Sequence, residues 1–223
     1  MCIRDRDLIP PKSTVILVIP IDKEAPKGRL ILPQVQTLRD LLDSSCLSYV
    51  VKESELKQAL DNLKEPPALV ITDSQAFKTV AEIVPQNIPL TSFSILFARL
   101  KGDLAAFRKG AEAIANLQDG DKVLILESCT HHAIEDDIGR VKIPALLRKK
   151  TGKNLIIENY AGHDFPDISS YKLIIHCGAC MTNRREILSR ILKANEAGVP
   201  VTNYGITISY CLGILERAMQ IFR

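Results

Sequence analysis

Short runs of aliphatic residues, spaced by longer stretches of helical period, set the strongest limit on what this chain can become. "TVILVIP" (14–20), "ALVIT" (68–72), "KVLILE" (122–127) and "KLIIH" (172–176) show no polar alternation. A strand with one wet face alternates, whereas a run that is apolar on nearly every residue needs cover on both faces. Parallel sheets flanked by helices give that cover. The runs recur with helix-period segments between them, the order expected for βαβ units.

Along the chain the pattern predicts a strand at 13–22, then a helix over 33–45 that opens on Pro33 and carries Val35, Leu38, Leu41 and Leu42 on one face. "LSYVVK" reads as a strand, "ESELKQALDNL" as a helix and 67–73 as a strand. A helix capped by Ser74 and a strand or connector in "IPLTSFS" complete the first run. The second run opens with a helix over 100–117 that starts at Asp103, followed by a strand in 119–128. "IGRVKIPALLRKKTG" reads as a helix bent at Pro144 and ended by Gly152. Buried strands in "KNLIIENY" and "YKLIIH", a helix in "MTNRREILSRILKANEAG", a strand in "VPVTNYG" and one final helix in "ITISYCLGILERAMQIF" close the chain. The expected fold is α/β with two lobes, each a mainly parallel sheet between helices, Rossmann-like and three-layered. The first lobe is expected over 13–95 and the second over 96–223, with 1–12 a non-native or disordered leader.

The balance of residues narrows the function classes. A net charge of +3 with interleaved acids leaves no basic stripe for nucleic acid. No run approaches the ~20 apolar residues that span a bilayer, and the N-terminus has no apolar core of a secretory signal. Six cysteines in 223 residues, among regular helix and strand patterns, do not resemble a secreted disulfide framework. The chain is expected to be cytoplasmic, with some cysteines serving as ligands.

The chemistry gathers where the second-lobe strands end. "VLILES" runs into Cys129, His131 and His132; "KLIIH" closes on His176, Cys177 and Cys180; "NLIIENYAGHD" leads to His163; "VPVTNYG" ends in Asn203 and Tyr204. In a parallel sheet these are all carboxyl ends, the edge where ligands collect. Helices starting near Asp137 and Thr182 would aim their N-termini at the same edge, which favours thiolates. Three thiolates with or without an imidazole suit a Cys₃His zinc site or a 4Fe-4S cluster with one non-cysteine corner. A lobe with this much core has no need of structural zinc. A redox dithiol of Cys177 and Cys180 remains as an alternative, since CxxC at a strand–helix junction also serves that chemistry. His131 and His176 are candidate ligands or donors beside the site, and His132, His163 and Tyr204 candidate lining residues. Glu135, Asp136 and Asp137 read first as helix-start acids, and "RREILSR" (184–190) as a solvated helix face. Lys101, Arg140 and Lys142 are cations suited to an anionic neighbour. Cys46 and Cys211, on helical patterns, read as small buried hydrophobes.

Cys129-x-His131 followed by His176-Cys177-x-x-Cys180 resembles the CxH…HCxxC signature of the HydF family of iron-only (FeFe) hydrogenase maturation factors. "SFSILFARLKGDL", "ESCTHHAIEDDIGRVKIPALL", "IIHCGACMTNRREIL" and "GVPVTNYGITISYCLGILERA" carry the same resemblance. It implies a dimerisation lobe followed by a lobe binding a 4Fe-4S cluster through Cys129, Cys177 and Cys180. It further implies a homodimeric, non-enzymatic scaffold that takes a transient diiron subcluster precursor from radical-SAM maturation proteins and passes it to the apo-hydrogenase. That family normally opens with a GTPase domain. "PPKST" lacks the glycines of a phosphate loop, so no GTP site is expected in this chain.

Overall fold

A computed structural model of the chain describes residues 8–21, 30–128, 137–162 and 164–222. The chain divides into two compact units, one of Met1–Leu96 with Ile214–Arg223 and one of Phe97–Gly213. Each is described separately.

The first unit holds β1 (Thr14–Val18), α1 (Leu32–Asp43), β2 (Leu47–Val51), α2 (Leu56–Asp61), β3 (Leu69–Thr72), α3 (Phe77–Ile83) and β4 (Leu90–Ser92). Its sheet runs β2-β1-β3-β4, parallel throughout. β1 and β3 hold the centre, where every residue of β3, and all but the first of β1, is buried. Val15, Leu17, Leu69, Ile71, Leu41 and Phe93 pack together, with Ile221 and Phe222 from the C-terminus against them.

Two expectations for this unit need correction. The buried face of α1 carries Gln34, Thr37, Asp40 and Leu41, while Val35 and Leu42 stand 46% and 57% exposed. Gln34 explains the turn of the helix, because its side-chain amide donates to Asp73 at 2.7 Å. Burying that amide requires a partner, and the partner lies at the end of β3. Ser74 is not a cap: α3 begins at Phe77, and the Ser74 hydroxyl instead donates to Ser92 Oγ. β2 is an edge strand with Leu47, Tyr49 and Val50 exposed.

α4 (Phe93–Lys101) follows β4 directly and ends in the second unit. Its apolar "FSILF" start reads equally well as strand, and only the register of the lone cations at Arg99 and Lys101 hints at a helix end. α5 (Leu104–Glu112) opens as expected on Asp103, whose carboxylate accepts the Ala106 amide at 2.9 Å. β5 (Lys122–Glu127), α6 (Ile143–Thr151), β6 (Ile156–Ala161), β7 (Leu173–His176), α7 (Arg184–Glu196), β8 (Val201–Asn203) and α8 (Tyr204–Cys211) complete the unit. The sheet order is β6-β5-β7-β8, again wholly parallel. α5 lies so close on β8 that a Cβ at Gly110 would fall on the Val201 carbonyl.

A wide helical turn, Ile138–Lys142, precedes α6, with the Lys142 amide reaching back to the Asp137 carbonyl at 3.2 Å. Pro144 has no N–H to continue an ordinary ladder, so the backbone takes the wider turn before it and straightens afterwards. Gly152 ends α6 at φ 68. β6, expected buried, is an edge strand of this sheet, with Ile156 at 47% exposure. The final helix is not continuous: Gly213, at φ 75, breaks it into α8 and α9 (Leu215–Met219). α9 groups with the first unit, where Arg217 donates to the carbonyls of Ala81, Val84 and Pro85.

Candidate functional site

Because β5, β7 and β8 are neighbours and parallel, their last residues share one rim of the second unit. Leu126 pairs with His176, and His176 with Asn203. Just past the ladder the Cys177 amide donates to the Leu126 carbonyl at 2.9 Å, and the Ser128 amide donates to Cys177 Sγ at 3.2 Å. An amide aimed at sulfur stabilises a thiolate more than a thiol. Cys177 is buried and Cys180, three residues on, half-buried. Cys129 lies outside the described residues but follows Ser128 directly in the chain. His131, His132, His163, Glu135 and Asp136 also lie outside them.

His176 is 2% exposed, and both ring nitrogens are engaged. Nε2 lies 3.0 Å from an Arg190 guanidinium nitrogen, and Nδ1 3.0 Å from the Cys177 carbonyl. A guanidinium only donates and a carbonyl only accepts, so the ring is assigned as the neutral tautomer with its proton on Nδ1. In this arrangement the Nε2 lone pair is spent on Arg190. His176 therefore orients the peptide of Cys177.

Arg190 is the residue that reading the sequence missed. It sits 2% exposed on the inner face of α7 and also donates to Ser128 Oγ and Glu186, each at 2.9 Å. The expectation that 184–190 is a solvated face fails here. Its signal was present: Arg190 shares helical spacing with buried Ile187, Ile191 and Ala194. One cation thus ties α7 to the ends of both β5 and β7.

Lys101, at the end of α4, reaches the two-cysteine loop itself. Its Nζ donates to the carbonyls of Ala179, Cys180 and Thr182 at 2.8, 2.8 and 2.9 Å. Arg184 answers from the loop side, donating to the carbonyls of Arg99 and Leu100 at the end of α4. α7 starts one turn after the loop, with Asn183 as its cap accepting the Glu186 amide at 2.9 Å.

The remaining rim residues have structural partners. Asp137 caps the wide turn by accepting the Arg140 amide at 2.7 Å. Arg140 pairs with Glu127 at 3.1 Å, and that carboxylate holds the guanidinium pKa above its usual value. Asn203 caps α8 through the Ile206 amide at 2.9 Å. The Tyr204 hydroxyl packs onto Gly139, where a Cβ would collide with it. Cys46 and Cys211 behave as small hydrophobes: burial raises both thiols, Cys211 to about 11.

A shallow recess lies beside the loop, lined in part by Lys101, His176, Cys177, Gly178, Ala179 and Asn203. Among the described residues no three His, Cys, Asp or Glu side chains meet as a metal site. Two soft donors on one fixed loop, one of them taking an amide hydrogen bond, nevertheless suit a cluster of soft metal and sulfide. Hydrogen bonds to sulfur are what such clusters use.

Family models match both parts of the chain. Residues 5–102 match the hydrogen maturase F dimerization domain, and residues 105–221 match the hydrogen maturase F tetramerization domain. Comparison with curated proteins gives no match.

Proposed function

The chain belongs to the hydrogen maturase F family, and from that premise we propose that it is a self-associating, non-enzymatic scaffold for assembling the FeFe-hydrogenase metallocluster. Cys129, Cys177 and Cys180 hold a 4Fe-4S cluster, and a diiron subcluster precursor is the cargo delivered to apo-hydrogenase. When bound, the cluster supplies a site at which an iron without a cysteine ligand can exchange its partner. The observation that carries the reading is the Ser128 amide on Cys177 Sγ. It brings the residue before Cys129 against the first cysteine of the CxxC loop.

The chain's own contribution is arrangement. Arg190 and His176 fix the peptide of Cys177, and the start of α7 lies just beyond Cys180. Maturation partners of the radical-SAM class and a cytoplasmic, reducing setting belong to the same reading. Self-association follows the two matched domain descriptions, dimerization and tetramerization. The exposed edge of β2 offers the unpaired backbone groups that two sheets use to join across a two-fold axis. Among the described residues no helix is long and apolar enough to cross a membrane.

Anaerobic reconstitution with iron and sulfide tests the assignment. The expected result is stoichiometric iron and a reduced-cluster EPR signal, lost in Cys129→Ala, Cys177→Ala and Cys180→Ala. A protein that takes up no iron but holds one zinc tightly overturns it in favour of a zinc-stabilised module. A metal-free protein whose Cys177–Cys180 couple turns over with a reductant overturns it in favour of a thiol–disulfide oxidoreductase.

A further inference from the structure

The contact between Lys101 and the two-cysteine loop spans 78 to 81 positions of sequence and joins one ammonium to three carbonyls within four residues. An ammonium has three N–H donors, and three acceptors at 2.8, 2.8 and 2.9 Å match them. Carbonyls gathered around one point in this way form the kind of cage that ordinarily surrounds a small monovalent cation. Here the cation is part of the chain.

The loop does not take this shape by local preference. Ala179 has φ 54, in the left-handed region that residues with a Cβ enter at a cost, and it is buried. Something outside the loop must hold it, and the Lys101 ammonium is bonded to the carbonyl of that residue. The clamp is reciprocal. Arg184, first residue of α7, binds the terminal carbonyls of α4, while Lys101, last residue of α4, binds the carbonyls ahead of α7. Both cations stand at the C-terminal end of α4, where its dipole favours positive charge.

Peptide planarity then decides what the opposite side of the loop presents. In a trans peptide the carbonyl of one residue and the N–H of the next point in opposite directions. With the carbonyls of Ala179, Cys180 and Thr182 turned to Lys101, the amides of Cys180, Met181 and Asn183 point away from it. The loop's carbonyls are thus bound to a cation, and its amide edge, these three N–H groups, is directed away from that cation, where an anion can accept from it.

We infer that Lys101 is the positioning residue of the two-cysteine loop: its ammonium is a built-in cation that fixes three loop carbonyls and so turns the loop's amide edge toward the anionic group the thiols bind. The nature of that group, an iron–sulfur cluster, rests on the function proposed above; the clamp itself does not.

The test uses the full chain and two independent readouts. In the metal-free protein, hydrogen exchange of the 178–184 amides is expected to speed up at least tenfold in Lys101→Met, with the β5 and β7 amides unchanged. Lys101→Ala is expected to behave alike and to regain protection with butylammonium, which restores an ammonium on an alkyl chain, but not with tetramethylammonium, which has no N–H. After reconstitution with iron and sulfide, the cluster in Lys101→Met is expected at a more negative reduction potential than wild type, because a nearby positive charge is gone. Lys101→Arg keeps the charge and is expected to hold the potential near wild type while loosening the loop. Unchanged exchange in Lys101→Met overturns the inference, as does rescue by tetramethylammonium equal to that by butylammonium. If Lys101→Met does not fold, the Lys101→Arg and butylammonium arms decide. A protein that never takes up iron but shows the predicted exchange pattern overturns the cluster reading and leaves the clamp standing.

Discussion

Replacing Arg190 by Met gives the sharpest test of how the rim is built. The guanidinium makes three bonds at 2.9–3.0 Å, to His176 Nε2, Ser128 Oγ and Glu186 Oε1. They are not equal in consequence. The Glu186 side chain is 42% exposed, so its carboxylate regains water and its loss costs little. Ser128 is buried and its oxygen loses a donor, but its own O–H can still donate elsewhere. His176 is 2% exposed and presents a lone pair to a site that a thioether cannot serve. An acceptor left buried in this way costs about 1–3 kcal/mol. Met fills much of the space of the arginine stem and removes a buried charge, which offsets part of the loss. The expected net effect is a destabilisation of about 2 kcal/mol, or roughly 4–8 °C in Tm for a chain of this size. Thermal and urea unfolding measure it. Nitrogen NMR of His176 supplies the second reading: in the wild type the proton must sit on Nδ1. A proton found on Nε2, or a variant as stable as the parent, would refute the reasoning.

Two further outcomes follow from the packing. Gly110→Ala should destabilise the second unit, as read by urea unfolding. The roughly 1 kcal/mol gained in helix propensity is outweighed by a Cβ placed on the Val201 carbonyl and 3.0 Å from the Thr202 nitrogen, where overpacking costs ~1–3 kcal/mol or more; equal or higher stability would sink this. Tyr49→Glu together with Leu47→Lys puts charge on the exposed β2 edge and is expected to lower the oligomer order seen by analytical ultracentrifugation while leaving the thermal midpoint of the chain close to the parent value; an unchanged distribution means the chain associates through another surface.

The architecture was legible because its signal is local. Apolar runs such as "KVLILE" and "KLIIH" are buried strands in any context that covers both faces, and Asp103 and Gly152 mark helix ends by side-chain and backbone chemistry that no distant contact has to supply. The errors sit where a distant contact decides. β6 reads as buried although it carries Glu158 and Asn159, and its place at the sheet edge is set by its neighbours. α1 rotates because Gln34 finds Asp73, thirty-nine positions away. At the site, the gathering of His176, Cys177, Asn203 and Tyr204 on one rim follows from strand ends in a parallel sheet and was visible in advance. The roles of Lys101 and Arg190 were not, since a lysine at a helix end and an arginine within an amphipathic helix are ordinarily solvated.

Those two cations also distinguish a rim built for stability from one built for an anionic occupant. If the chain needed only to pack α7 against β5 and β7, an aliphatic side chain at 190 would do so without desolvating a charge. Arg190 has a carboxylate beside it in Glu186, so its charge is largely answered within the protein. Lys101 differs, because it bonds the carbonyl dipoles of the two-cysteine loop itself. Its charge stands beside a loop that carries thiols, and a charge acts farther where water is thin. Thiolates, or a cluster bearing net negative charge on those thiolates, are the groups that such a field stabilises. The clamp and the proposed ligands share one loop: its carbonyls are bound to Lys101, and its thiols are the ones proposed to hold the cluster.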